Sequence, residues 1–281
     1  MGTDLRPLGP RHFTDYELCP QKYHLSALGQ AREVAHPVGA PRALHGALVR
    51  ALQETLLTQA NGPAALAGLL DAFEAAFDGA ACADTWEEER TRRDGRAILE
   101  QYYAAGQLPR FGRVEVAVRF TGDLNGQPVY ARADVGAAMV DGGTALVTYH
   151  SGRRPPSPAE LERDLRTGLL QLLAGEQGRT GPQNGPDAAP AVDRGLAFGP
   201  SERLEPALSG PLTCEVHALR GGRVLPATKS DEQLAAVRAR ALDLIERIRY
   251  DHIFPTARGS HCRWCRSKPI CPAWQERWGR S

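Results

Sequence analysis

The amino-acid sequence predicts an α/β protein built as one domain: a helical N-terminal part (1–110), a core with a central mixed sheet flanked by helices (111–250), and a cysteine-rich tail (251–281). Three observations predict it. The apolar period changes from about four residues to two beyond residue 110 and returns to the helical period after residue 155. Turn dipeptides divide the two-residue stretch into segments of strand length. Three of the six cysteines crowd into the last twenty residues.

Leu44, Leu48, Leu52 and Leu56 recur every fourth position, the spacing of one helix face. Phe73 with Phe77, and Ile98 with Tyr102, extend the helical reading through an alanine-rich region. Val114, Val116, Val118 and Phe120 then alternate with Glu115, Ala117 and Arg119, which predicts a half-buried strand from 114 to 120. Asn125-Gly126 favours the positive φ angles of a tight hairpin turn, so Pro128 to Val135 returns as its partner. Asp141-Gly142-Gly143 turns the chain again, and Thr144 to His150 has the β-branched and aromatic content of a third strand in an antiparallel meander.

Pro155, Pro156 and Pro158 stop that strand, and Ser157 caps a helix on which Leu161, Leu165, Leu169 and Leu172 share a face. Glu176 to Gly195 reads as a flexible loop from its Gly, Pro, Gln, Asn and Asp content. A strand pair around Cys214 to Leu225 turns at Gly221-Gly222, and Ser230 with Gln233 opens a helix that reaches about Tyr250.

At 281 residues with 42% hydrophobic and 24% charged residues, the chain can bury a substantial core and is not of disordered composition. No apolar run approaches the roughly 18 residues of a membrane span, and Met1 to Pro10 lacks the apolar centre of a signal peptide. The expected location is the cytoplasm, with no membrane contact. A net charge of +1 neither supports nor excludes nucleic acid, because a local basic groove decides that.

Cysteines spaced Cys262-x2-Cys265-x5-Cys271 in a cytosolic chain point to metal rather than disulfides. A fourth ligand must come from Cys19, Cys82 or Cys214, and the latter two read as small buried hydrophobes in a helix and a strand. Three clustered thiols with one remote, Cys19 in Leu18-Cys19-Pro20, suit a 4Fe-4S cluster held by four thiolates. Zinc is the alternative, with His252 or His261 as further ligands, although zinc more often takes two close cysteine pairs. Either metal would clasp the two ends of the chain.

Several segments, in order, resemble one family. Phe13 to Tyr23, with its Cys19-Pro20-x-x-Tyr23, looks like the opening helix of RecB-type nucleases of the PD-(D/E)XK superfamily. The tail Cys262-x2-Cys265-x5-Cys271-Pro272 resembles the iron–sulfur staple of AddB-like nucleases and CRISPR-associated adaptation exonucleases. Between them, Leu44-His45-Gly46 is similar to the family's histidine motif, Ala131-Arg132-Ala133-Asp134 to its Gly-x-x-Asp strand, and Gln171 to its glutamine-bearing helix. The resemblance implies a restriction-endonuclease-like core, in which a divalent ion such as Mg2+ or Mn2+ held by carboxylates lowers the pKa of an attacking water. It also implies that His45, Asp134, His150 and Gln171 stand at the site.

The sequence departs from that pattern where the chemistry is most demanding. On the third strand, Thr148 stands where the resemblance calls for a second carboxylate and His150 where it calls for a lysine. A neutral hydroxyl is a poor ligand for a hard cation. The only lysines, Lys22, Lys229 and Lys268, lie outside the meander, and Arg153 and Arg154 stay protonated and cannot serve as bases. Catalysis is therefore expected to be lost or impaired. The alternative is an altered site in which His45, Asp134 and His150, with Glu115 as a further carboxylate, hold a borderline ion such as manganese or zinc.

A nuclease fold without cleavage retains a groove for a nucleic-acid backbone. Arg153, Arg154, Arg163 and Arg166 are the candidate phosphate contacts, and Tyr149 and Trp264 are candidates to stack on unpaired bases. The expected partner is DNA with single-stranded or end character, in repair or recombination, beside a helicase or other repair protein by analogy with the family. A scaffold that binds protein instead of DNA is the third reading.

Overall fold

The computed structural model describes residues 6–27, 39–58, 63–108, 111–139, 142–180 and 211–278. The helical N-terminal part forms as the leucine spacing predicts. Helix α3 (Ala40–Leu57) buries Leu44, Leu48, Leu52 and Leu56. It packs with α4 (Pro63–Ala76) and α5 (Thr85–Ala104), after the short α1 (Pro10–Leu18) and α2 (Pro20–Ala27). Gly95 lets α5 approach α4 closely: a Cβ there would stand 2.2 Å from the Phe73 ring.

The central sheet has the order β1 (Phe111–Val116), β4 (Val135–Met139), β5 (Thr144–His150), β6 (Leu212–Ala218), β7 (Arg223–Pro226). The sheet is mixed, because β5 and β6 run parallel while every other pair is antiparallel. A separate hairpin pairs β2 (Arg119–Leu124) with β3 (Gln127–Arg132), and its turn places Asn125 at φ 53° and Gly126 at φ 76°.

The meander differs from its sequence reading in one respect. The strand expected from 114 to 120 breaks at Ala117, which adopts φ 56°, and the strand expected from 128 to 135 breaks opposite it at Ala133-Asp134. The two halves remain linked, since Ala117 N–H donates to Asp134 O and Ala133 N–H to Val118 O, both at 2.9 Å. One long hairpin thus bends out of the main sheet, and Asp134 sits at the bend. Alternation of apolar residues carries no sign of such a bend, because the two-residue period continues through it.

Beyond β5 the expected helix is two helices, α6 (Pro158–Glu162) and α7 (Leu165–Thr180), divided at Arg163-Asp164. Asp164 caps α7 by accepting from the N–H groups of Arg166 and Thr167. Leu161, Leu165 and Leu169 are buried, whereas Leu172 is half-buried. Residues 176–180, expected in a loop, continue α7, and 181–195 lie outside the described residues. Helix α8 (Asp231–Tyr250) begins with the expected Ser230–Gln233 capping box. Helix α9 (Pro272–Trp278) ends the described chain.

The sheet separates two cores. Ala145, Val147 and Tyr149 of β5 face the helices α3 to α5, and Leu146 faces α7 and α8. Tyr102 Oη meets His217 Nδ1 at 2.6 Å and His217 Nε2 meets Glu215 Oε2 at 2.9 Å, a polar chain linking α5 to β6, while the buried Tyr149 hydroxyl has no hydrogen-bond partner among the described residues. Among the described residues no helix is long and apolar enough to cross a membrane.

Candidate nuclease-type site and cysteine cavity

The bend in the hairpin places Asp134 beside the C-terminal half of β5. The antiparallel register pairs Val135 with Val147, so Asp134 stands opposite Thr148, and Asp134 N–H donates to Val147 O at 2.9 Å. The Asp134 carboxylate is fully engaged at one oxygen, where Oδ2 accepts from Tyr149 N at 2.8 Å and from Arg166 Nη2 at 3.1 Å. Gln53 on α3, not singled out from the sequence, donates through Nε2 to Asp134 O at 2.7 Å. It lies eight residues beyond His45 on the same helix, a helical spacing that gave the only available hint.

His45 joins this neighbourhood from α3. Its Nδ1 meets Ser151 Oγ at 2.9 Å. Burial pushes the His45 imidazole below its ordinary pKa; the Asp134 charge opposes this, and Arg166, His150 and Arg42 reinforce it. The ring is therefore neutral at neutral pH. His150 turns away from Asp134, with Nε2 2.9 Å from Arg154 O. Arg220, in the turn after β6, donates to Ser151 O at 3.2 Å and forms a two-pronged ion pair with Asp94 of α5, at 2.8 and 2.5 Å. Asp94, Arg220, Ser151 and His45 thereby form one chain of contacts that fixes the loop after β5. Its members are far apart in sequence, and no spacing rule links them.

Gln171 is placed differently. Its Nε2 donates to Lys229 O at 3.0 Å and its Oε1 accepts from Lys229 N at 2.8 Å, so its amide braces the segment before α8. Lys229 is 5% exposed and its ammonium reaches the carbonyls of Leu161 and Glu162 at 2.5 and 2.9 Å, capping the end of α6. Glu115 pairs in register with Gly136 on β4. Of the four expected phosphate contacts, Arg166 is held by Asp134 and Arg154 by Glu160, while Arg153 and Arg163 are exposed. Tyr149 is 2% exposed, its ring edge-on to those of Tyr102 and His217, so it cannot stack on a base.

These residues do not fit a divalent ion. A hard cation needs several oxygen ligands converging on it. Here the Asp134 carboxylate at the bend already carries a guanidinium and faces a threonine that is 2% exposed. His45 and His150 point their ring nitrogens at Ser151 and at the Arg154 carbonyl. Among the described residues no three His, Cys, Asp or Glu side chains converge on a point that could hold one ion.

At the other end of the molecule, Cys19, Cys262, Cys265 and Cys271 line one cavity of about 470 Å³. Contacts between the chain ends bring them there. Tyr16 Oη donates to Asp251 Oδ2 at 2.9 Å, Gln21 N to Pro255 O at 3.3 Å, and the Tyr23 and His24 rings pack on Phe254. Ala257 N–H points at Cys19 Sγ from 3.4 Å, and Ser267 hydrogen-bonds the Cys265 sulfur through both its main chain and its hydroxyl. Cys214 is buried in β6, where burial pushes its thiol up to about 12, and Cys82 stands apart on the far side of the helical core, so both behave as structural cysteines. The four thiols share this cavity, and His261 Nε2 lies 3.7 Å from Cys262 Sγ; among the described residues no three metal-ligating side chains converge on one point.

With the motif order, the bent hairpin and the mixed sheet in place, comparison with known proteins decides the family. The PD-(D/E)XK nuclease superfamily matches residues 7–272. The chain belongs to this superfamily. A comparison with curated proteins gives no match. Among solved structures, one titled "Crystal structure of SSO0001" is 10% identical, with a TM-score of 0.39 over 97% of this chain and 89% of that one.

Proposed function

We propose that this PD-(D/E)XK superfamily member binds DNA without cutting it, as a RecB-type, AddB-like pseudo-nuclease of repair or recombination. The observation that carries the reading is Arg166 on Asp134, opposite Thr148. An active member of the superfamily would use a metal-bound carboxylate pair there; this chain offers one carboxylate, neutralised by an arginine. Without a second acidic ligand, the bend lacks the converging oxygen ligands that hold a hard cation. The exposed Arg153 and Arg163 still suit contacts to a phosphate backbone. The reading of an active exonuclease using His45, Asp134 and His150 lacks a comparable observation, since both imidazoles are turned to other partners.

The subtype reading includes a 4Fe-4S cluster held by Cys19, Cys262, Cys265 and Cys271, supported by their shared cavity. When bound, such a cluster supplies a covalent clamp between the two ends of the chain. The cavity wall contributes the N–H groups of Ala257 and Ser267, which orient Cys19 and Cys265. A reducing, cytoplasmic setting and a helicase or similar repair partner belong to the same reading by analogy with the family.

The test is to purify the full chain anaerobically, measure its iron and sulfide, and incubate the same sample with labelled single-stranded DNA and Mg2+ or Mn2+. The expected result is binding without cleavage. Cleavage that disappears in Asp134→Ala would overturn the pseudo-nuclease reading, and no binding at low salt would favour the protein scaffold.

A further inference from the structure

The C-terminal cap concentrates positive charge that the whole chain lacks. Residues 247–275 carry Arg247, Arg249, Arg258, Arg263, Arg266 and Lys268 against one carboxylate, Asp251, in a chain of net charge +1. Asp251 is turned inward: Oδ2 accepts from Tyr16 Oη, and Oδ1 from the N–H groups of Ile253 and Phe254 at 3.0 and 2.7 Å. Arg263 and Arg266 are exposed and pair with no carboxylate among the described residues. Arg263 also shares the wall of the cysteine cavity with Arg258, Lys268 and Lys22, the last paired with Asp15, and among the described residues that wall includes no acidic side chain.

Trp264, which follows Arg263 and precedes Arg266 by two residues in the chain, has 86% of its surface exposed. The neighbouring Trp274 is braced, with the Lys268 ammonium 4.7 Å from its ring centre. Among the described residues Trp264 has no such partner. Cations flanking an accessible aromatic face are the combination that tracks a single-stranded backbone while stacking its bases. The cap lacks what a membrane contact would need, since Trp264 ends a five-residue 3-10 helix, Ser260–Trp264, too short to present an amphipathic face.

We propose that Arg263, Trp264 and Arg266 form a second nucleic-acid contact, taking single-stranded DNA with a base on the indole and phosphates on the two guanidinium groups. This contact shares no residue with the site at Asp134, and the proposal rests on the DNA-binding reading above. Its consequence is a strand gripped at the cap as well as at the bend, which gives preference for unpaired over duplex DNA.

The test measures binding of labelled oligothymidylate and of a duplex of equal length to the anaerobically prepared full chain, over a range of salt, with variants matched in iron content. Trp264→Ala is expected to weaken single-strand binding about tenfold and to abolish quenching of tryptophan fluorescence, while Trp264→Phe retains most of the affinity. Replacing Arg263 and Arg266 together by alanine should flatten the slope of log K against log salt by about 1.4, at roughly 0.7 per phosphate contact. If the wild type binds and every cap variant binds equally well, the cap proposal falls and the DNA-binding reading stands. If the wild type binds no DNA, both fall. Tighter binding to phosphatidylserine vesicles than to oligothymidylate, lost in Trp264→Ala, would give this face to a membrane and overturn the proposal.

Discussion

Arg166 Nη2 lies 3.1 Å from Asp134 Oδ2, at the point where the hairpin bends out of the sheet. A guanidinium there does for the carboxylate what a divalent ion does in an active nuclease: it balances the charge. Unlike an ion, it leaves no open position for a water or a phosphate oxygen to be activated.

This arrangement predicts how metal binding could be rebuilt. Arg166→Ala together with Thr148→Asp gives two carboxylates facing across β4 and β5. The double variant should melt lower than the wild type without metal, because like charges are buried together. Added Mn2+ should raise its melting temperature, and the wild type should not respond. Thermal scans with and without Mn2+ decide it, and a wild-type response equal to that of the variant would count against the reading of the site.

Cys19→Ser should lose most bound iron and the broad visible absorption of a cluster, and its melting temperature should fall, because Cys19 lies far from the other three thiols in sequence and closes the largest loop. Cys82→Ser should leave iron content unchanged. Iron analysis and absorption spectra of the two variants, prepared side by side, separate these outcomes.

Leu52→Ala removes a fully buried side chain from the face of α3 that packs between α4 and α5. The expected loss is about 2–5 kcal/mol of unfolding free energy, measured by urea titration. A loss that large would leave the protein marginal, since domains of ordinary stability have roughly 5–15 kcal/mol in all.

The Asp94–Arg220 pair predicts a pH dependence. Its hydrogen bond with Arg220 lowers the Asp94 pKa below 3.8 in the folded protein. The contribution is therefore complete above that ordinary value and is lost as pH falls through the depressed one. Asp94 is 40% exposed, so solvent screening keeps the effect small. Melting curves of wild type and Arg220→Ala should differ by a constant amount at neutral pH and converge in acid below about pH 4. In the same variant the loop after β5 loses a tie at Ser151 O, and the His45–Ser151 contact should loosen, visible as a change in the His45 imidazole resonances by NMR.

Much of the architecture was legible in the chain, for physical reasons that differ by element. Leucines every fourth residue identify α3 because a helix face repeats at that spacing, and Asn125-Gly126 marks its turn because few residues tolerate positive φ. That Thr148 and His150, neither a carboxylate nor a lysine, stand on the third strand could be read directly, since side-chain identity needs no coordinates. The split of the meander at Ala117 and Asp134 could not, because residues on either side keep the same alternation while the backbone changes direction.

The sequence alone determined which groups are present: Asp134 among the meander strands, lysines only outside them, four cysteines near the chain ends, and an arginine-rich tail. Only the tertiary structure decided what they meet. It set Arg166 on Asp134, turned Gln171 to the Lys229 main chain, buried Tyr149, exposed Trp264 and gathered the four thiols around one cavity. Local spacing governs neighbours within an element, whereas contacts between residues tens or hundreds of positions apart are fixed by packing, which no short-range pattern encodes.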